Sequence, residues 1–246
     1  MSKNIVLVHG YRGSPAGLAE IGEQLQKAGY QVFAPSVPPF GDSKPLRKYD
    51  NNSYADYIAR YIKDNHIEKP VLVGHSMGSL VVAATAEKYP ELLADELIFL
   101  APISVKPPRP IAILNPLATA LPRGIVDVTT TAFNMVPNGL KTTKKTMKLT
   151  REASKKFTTK GDVKSAGAFS IAHAISDYHL SKRLLFLAGA HDHLISRKST
   201  EALAQKFNQS TPTTAVFIPG TGHLLNYEKP DETTAEILKF LEGDII

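Results

Sequence analysis

Gly74-His75-Ser76-Met77-Gly78 holds the residues whose types and spacing point most directly to chemistry. The serine lies between two glycines, behind the aliphatic Val71-Leu72-Val73 and ahead of a helix-compatible run over 79–89. A strand–turn–helix of this kind holds a serine hydroxyl above the end of a strand, where a substrate can reach it. The glycines let the strand and helix backbones pass without Cβ clashes. The helix that begins there offers free N–H groups and a positive dipole end to a developing oxyanion, and Met77 N–H is the expected donor. The pentapeptide alone is a weak signal, since chance yields it in roughly one chain in ten of this length. The other reading is a plain tight turn between a strand and a helix.

A serine at its ordinary pKa is a poor nucleophile and needs a neighbouring base. Of the 8 histidines, His223 is the best placed, in the glycine-flexed Pro219-Gly220-Thr221-Gly222-His223 behind an apolar run at 214–218. Asp192, behind another apolar run at 183–188, is the expected acid, able to hold the imidazole tautomer and stabilise the imidazolium. Asp177 is a weaker substitute. His191 and His193 flank Asp192 and raise the question of a metal, but the i, i+2 spacing lacks a further ligand motif, and no metal is expected.

Six short, nearly continuous apolar runs are expected as strands buried on both faces: 4–8, 31–34, 70–73, 96–100, 183–188 and 214–218. Helical spacing between them, at 16–28, 53–65, 79–89, 199–208 and 231–242, predicts an α/β fold with a wound sheet. Ser76, Asp192 and His223 then all follow carboxyl ends of strands, where open sheets build their sites. About 75 residues interrupt the alternation after 96–100. They open with Pro107, Pro108 and Pro110 and continue with helix-like runs at 111–121, 124–135, 140–157 and 163–178. A structureless loop of that length is uncommon, so residues 105–180 are expected to form a helical cap inserted in a core of 1–104 and 181–246.

The order serine, aspartate, histidine, together with His9-Gly10-Tyr11-Arg12-Gly13 after the first strand, resembles the α/β-hydrolase superfamily closely. The resemblance covers essentially the whole chain. It implies that Tyr11 N–H is the second oxyanion donor. It also makes Pro39-Phe40-Gly41-Asp42-Ser43 scaffold, and His9, Gly10, His75 and Leu224 are expected against substrate. The chain starts at the His-Gly strand without the family's usual N-terminal antiparallel pair, so a mostly parallel sheet of about six strands is expected. Ser79 stands where a third glycine often follows. Serine at the turn disfavours the haloalkane dehalogenase and epoxide hydrolase branches, which use aspartate there.

The bulk properties set outer bounds. A chain of 246 residues suits one well-buried domain. With no cysteine, disulfides, thiolate metal sites and cysteine nucleophiles are excluded. The N-terminus carries no signal-peptide pattern and no run is long enough to span a bilayer, so a soluble cytoplasmic protein is expected. The net charge of +6 is uneven: residues 105–180 carry 12 Lys+Arg against 4 Asp+Glu, and the remainder 17 against 19. That segment, with Lys144, Lys145, Lys148, Lys155 and Lys156, suits a weak contact with an anionic membrane surface or an anionic substrate; the plainer reading is a solvated lysine-rich helical face. It lacks the interleaved aromatics that bind nucleic acid.

The expected activity is therefore hydrolysis of carboxylic esters through an acyl-enzyme, on a small, partly apolar acyl substrate and without a cofactor. Ile111, Ile113, Leu114, Phe133 and Met135 either roof an acyl pocket or pack the cap on the core. Two alternatives stay open. The same residues suit a C–C bond hydrolase or an acyltransferase. A non-catalytic ligand-binding protein can also occupy this fold.

Overall fold

The apolar runs pair side by side as six strands: β1 (Asn4–Val8), β2 (Gln31–Phe33), β3 (Val71–His75), β4 (Glu96–Leu100), β5 (Arg183–Gly189) and β6 (Thr213–Ile218). The structure is a computed structural model and describes residues 3–104, 106, 148, 152 and 160–244. The strands lie in the order β2-β1-β3-β4-β5-β6 and every pairing is parallel, where a mostly parallel sheet was expected. The described helices are α1 (Ala19–Lys27), α2 (Asn51–Asp64), α3 (Met77–Lys88), α4 (Lys160–Ala172), α5 (Arg197–Phe207), α6 (Leu225–Glu228) and α7 (Pro230–Glu242).

Alternation along the strands sorts the side chains onto two covered faces. Leu72, Leu97, Phe99 and Phe186 face α2, α3, α4 and α5. Ile5, Val73, Ile98 and Leu187 face α1 and α7. Burial on both sides explains why β3 and β4 read as unbroken apolar runs: all their residues are buried. α3 is also buried on every side from Met77 to Ala86, because it lies between the sheet and α2. Its small residues, Ala83, Ala84 and Ala86, permit that close approach. The helices facing solvent carry their own caps. Asp50 accepts from Ser53 N at the start of α2 (2.9 Å), and Ser196 from Ser199 N at the start of α5 (3.1 Å).

Several boundaries differ from the sequence expectation. β3 runs on through Gly74 and His75, because His75 still pairs with Leu100 of β4. α3 begins at Met77 without a connecting loop. The run at 16–28 is split into a 3-10 turn, Pro15–Leu18, with proline in its first position, and then α1. Of the helix-like runs between β4 and β5, those at 111–121 and 124–135 lie outside the described residues. The run at 140–157 is described only at Lys148 and Glu152, both helical and exposed. The run at 163–178 is α4 followed by a 3-10 turn, Ile175–Asp177.

The chain passes from β1 to β2 on one side, returns across β1 to β3, and then moves outward through β4, β5 and β6. The reversal leaves a crevice between the carboxyl ends of β1 and β3, where ligands bind in open parallel sheets. Among the described residues no helix is long and apolar enough to cross a membrane.

Phe186 packs on one of these faces between the sheet and α5, with its ring 5.2 Å from that of Phe99 and 6.1 Å from that of Phe207. Phe186→Ala is expected to lower the unfolding free energy by about 3–5 kcal/mol, read from the urea midpoint. A loss below about 1 kcal/mol would show that this layer is not close-packed.

Candidate active site

Parallel register brings the first two parts of the site together. Val8 of β1 pairs with Gly74 of β3, so the residues two further on, Gly10 and Ser76, meet beyond the strand ends. A Cβ on Gly10 would stand 3.0 Å from Ser76 Cβ and 3.0 Å from His75 O, so a larger residue there would crowd the serine turn and force a small shift. Ser76 itself adopts φ 52, ψ −117, a conformation that costs an L-residue of order 1–3 kcal/mol. Main-chain bonds hold it there: Ser76 N donates to Leu100 O (2.9 Å) and Ser79 N donates to Ser76 O (2.9 Å). The flanking glycines are needed for space. A Cβ on Gly74 would lie 2.5 Å from Gly78 O, and one on Gly78 would lie 2.2 Å from Val8 O.

The other two parts arrive from β5 and β6. Their loops are laced together by Ala190 N to Ile218 O (3.0 Å) and His191 N to Thr221 O (2.9 Å). Asp192 Oδ1 accepts from Leu194 N (2.8 Å) and Ile195 N (2.9 Å), which aims Oδ2 at His223 Nδ1, 2.9 Å away. Because a carboxylate oxygen accepts, Nδ1 carries the ring proton. Nε2 is then left as acceptor for Ser76 Oγ at 2.9 Å. The Asp192 side chain is fully buried and that of His223 is 6% exposed, so their hydrogen bond is shielded from solvent. Asp177, the weaker candidate, is engaged elsewhere: it takes Ala174 N (3.0 Å) and pairs with Lys106 (3.2 Å).

Met77 is the first residue of α3, so its N–H has no intrahelical acceptor. Tyr11 follows Gly10 in a turn closed by Gly13 N to Gly10 O (3.0 Å). Its ring packs edge-on against Phe40 (5.2 Å) and its hydroxyl donates to Val163 O of α4 (3.4 Å). Leu224 is buried next to His223, at the cap of α6.

His9 and His75, expected against substrate, are both buried and hydrogen-bonded to main chain. His9 Nε2 accepts from Val37 N (2.8 Å), which leaves Nδ1 to donate to Gly10 O (2.9 Å); both nitrogens are taken by main chain. His75 Nε2 donates to the main-chain carbonyl of His223 (2.9 Å). Burial lowers the pKa of His9 to about 4 and that of His75 to about 3, the latter helped by repulsion from His223. Both are neutral scaffold groups. His191 and His193 are exposed. Among the described residues no group of three or more His, Cys, Asp or Glu side chains could hold a metal ion.

Residues 3–230 match the family described as alpha/beta hydrolase fold. The chain belongs to the α/β-hydrolase family. A curated relative, the uncharacterized hydrolase YugF of Bacillus subtilis (strain 168), is 30% identical over 94 residues, which is 37% of this chain and 34% of that protein. The match thus spans about a third of the relative's length. An esterase from Exiguobacterium antarcticum has a TM-score of 0.85 at 15% identity, covering 97% of this chain and 91% of its own. A bromoperoxidase from Bacillus anthracis has a TM-score of 0.83 at 18% identity, covering 98% and 92%. At these identities the likeness is one of fold, and the two proteins are named for different chemistries.

Two supports of this α/β-hydrolase site are not readable from motifs. Ser79 replaces a glycine, and its hydroxyl donates to Ser76 O and accepts from Ile103 N (3.3 Å), tying the serine turn to the chain beyond β4. Glu228, on α6, accepts from Gly222 N (3.1 Å) beside His223. The signal for Ser79 was its place three residues after Ser76. Glu228 carried none.

The buried histidines predict acid sensitivity. His9 and His75 stay neutral when folded but titrate near 6.5 when unfolded, so unfolding takes up protons below that pH. Stability is complete above about pH 6.5 and falls towards pH 4, by roughly 1.4 kcal/mol per pH unit for each histidine. Urea unfolding at pH 7.5 and 5.5 checks this, with His9→Asn expected to flatten the slope by about one proton. A slope unchanged in that variant would assign the effect to other groups.

Proposed function

We propose that this α/β-hydrolase cleaves carboxylic esters through a covalent acyl-enzyme, with Ser76 as nucleophile, His223 as base and then acid, and Asp192 as the group that orients it. The observation that carries this reading is the continuous hydrogen-bonded line from Ser76 Oγ through His223 to Asp192, with both links at 2.9 Å. Such a line activates a hydroxyl without needing a free alkoxide.

Ser76 Oγ attacks the carbonyl carbon while its proton passes to His223 Nε2. The carbonyl π electrons move to oxygen, and that charge meets the Tyr11 and Met77 amides. Collapse of the tetrahedral adduct expels the alcohol oxygen, which takes the proton from Nε2. Water then gives a proton to Nε2 as its oxygen attacks the acyl carbon. The second collapse releases the acid and returns the proton to Ser76. The imidazolium in each half lies 2.9 Å from Asp192, which offsets its charge. Every step uses groups of this chain and water.

The substrate is a small molecule with a partly apolar acyl group. The proposal gives the oxyanion to the Tyr11 amide and part of the acyl surface to its ring, which is held on Phe40 and Val163 O. The insertion over 105–180 is proposed to roof that surface. Its return helix α4 supports this, because Val163 already sits on Tyr11. The esterase from Exiguobacterium antarcticum, alike in fold over 97% of this chain, agrees with the reading.

Assay on p-nitrophenyl esters from acetate to palmitate tests it. Turnover by the native chain is expected, with loss of about 10⁴–10⁶-fold in Ser76→Ala and ~10⁴-fold in Asp192→Asn, whose amide favours the wrong imidazole tautomer. Turnover that survives Ser76→Ala, or no turnover along the whole series, would overturn ester hydrolysis at this serine.

A further inference from the structure

His75 stands inside the serine turn, is buried, and has no part in the acyl-transfer steps. Its backbone is fixed by β3, where it pairs with Leu100 of β4, and the next residue is the nucleophile. Its ring lies 5.4 Å from the ring of His223, tilted by 50°. A carbonyl oxygen only accepts, so the 2.9 Å contact with His223 O is an N–H donation from Nε2.

The base loop depends on such anchors. It contains Gly220, at φ 74, and Gly222, and so has little stiffness of its own. Glu228 holds Gly222 N, and Thr221 O is held by His191 N. Those two bonds tie the loop to α6 and to the acid loop. The bond from His75 ties the main chain of the base to the strand that carries the nucleophile, across 148 positions of sequence. We infer that His75 is a positioning residue, whose Nε2–H to His223 O sets the distance at which His223 meets Ser76. A neutral ring is what this place requires. A second cation here would oppose the imidazolium that forms on His223, and burial keeps His75 neutral, with a pKa of about 3.

The inference rests on the serine-hydrolase reading, and its test separates the two. A fluorophosphonate ester reports the activated serine without regard to the natural substrate. Ser76 Oγ forms a bond to phosphorus, fluoride leaves, and the serine proton goes to His223 and then to solvent. The maximal labelling rate and the half-saturating concentration are measured for the native chain, Ser76→Ala, His75→Leu, His75→Asn and His75→Gln. The glutamine amide reaches the place of Nε2, whereas the asparagine amide reaches only that of Nδ1. Labelling of the native chain that is absent in Ser76→Ala is expected. His75→Leu and His75→Asn should lower the maximal rate about 10–100-fold at nearly constant half-saturation, the effect of a slight misplacement of reacting groups. His75→Gln should recover most of the rate.

If His75→Leu does not fold, the Gln and Asn pair decides the matter. Equal rates in those two, whether native or reduced, overturn the positioning role. A native rate in His75→Leu does the same while leaving the hydrolase reading intact. No labelling of the native chain overturns that reading, and this inference falls with it.

Discussion

The turn at Ser76 is the constraint around which the molecule is arranged. A left-handed serine is unfavourable by itself, and it persists because the surroundings over-determine it. β3 enters fully buried and α3 leaves fully buried, so neither can shift to relax the turn. β1 presses on it from one side through Val8 O and Gly10, and β4 accepts its amide at Leu100 O from the other. The strain is thus offset by the packing of a whole central sheet, and in return the hydroxyl and the helix N-terminus share one small volume at the sheet's carboxyl edge.

Three histidines near that edge show how environment divides one residue type among different roles. His9 joins the β1 loop to Val37, beyond β2, and has no ring nitrogen to spare. His75 joins the serine turn to the base loop. His223 keeps a slight opening to solvent and lies between a carboxylate and a hydroxyl, the setting in which a ring can pick up and return a proton. Only the partners differ, and they differ because each histidine leaves a different strand end. A buried polar network of this kind is stiff when every member has a partner, which suits a site that must hold reacting atoms within a fraction of an ångström.

Membership of the α/β-hydrolase family covers nearly all of the chain, yet it leaves the bond that is cleaved open. Neighbours similarly alike in backbone are named for ester hydrolysis and for halogen chemistry. The fold supplies strand ends in a given order, and the groups placed on those ends supply the reaction. In this chain a hydrogen-bonded serine, histidine and aspartate stand at the switch point, and acyl transfer is the chemistry proposed for them.

Much of this was readable in the order of residues. The four central strands follow from aliphatic runs that two-sided burial accommodates, whereas β2 and β6, expected to be buried on both faces, are edge strands that stay partly exposed. The serine turn follows from glycines at two fixed spacings, and Asp192 and His223 lie behind strands as expected, hydrogen-bonded to each other. Those signals are local, and a local signal survives in one dimension. The tertiary structure alone decided how the pieces meet. It extended β3 through His75 by pairing with Leu100, and gave Ser79 and Glu228 their supporting bonds. It also gave His9 and His75 their main-chain partners. Each of these depends on a group brought in from another element, or on which side of a buried ring a carbonyl falls. No periodicity records such contacts, because they arise from strand order and register, which are fixed only when the sheet closes.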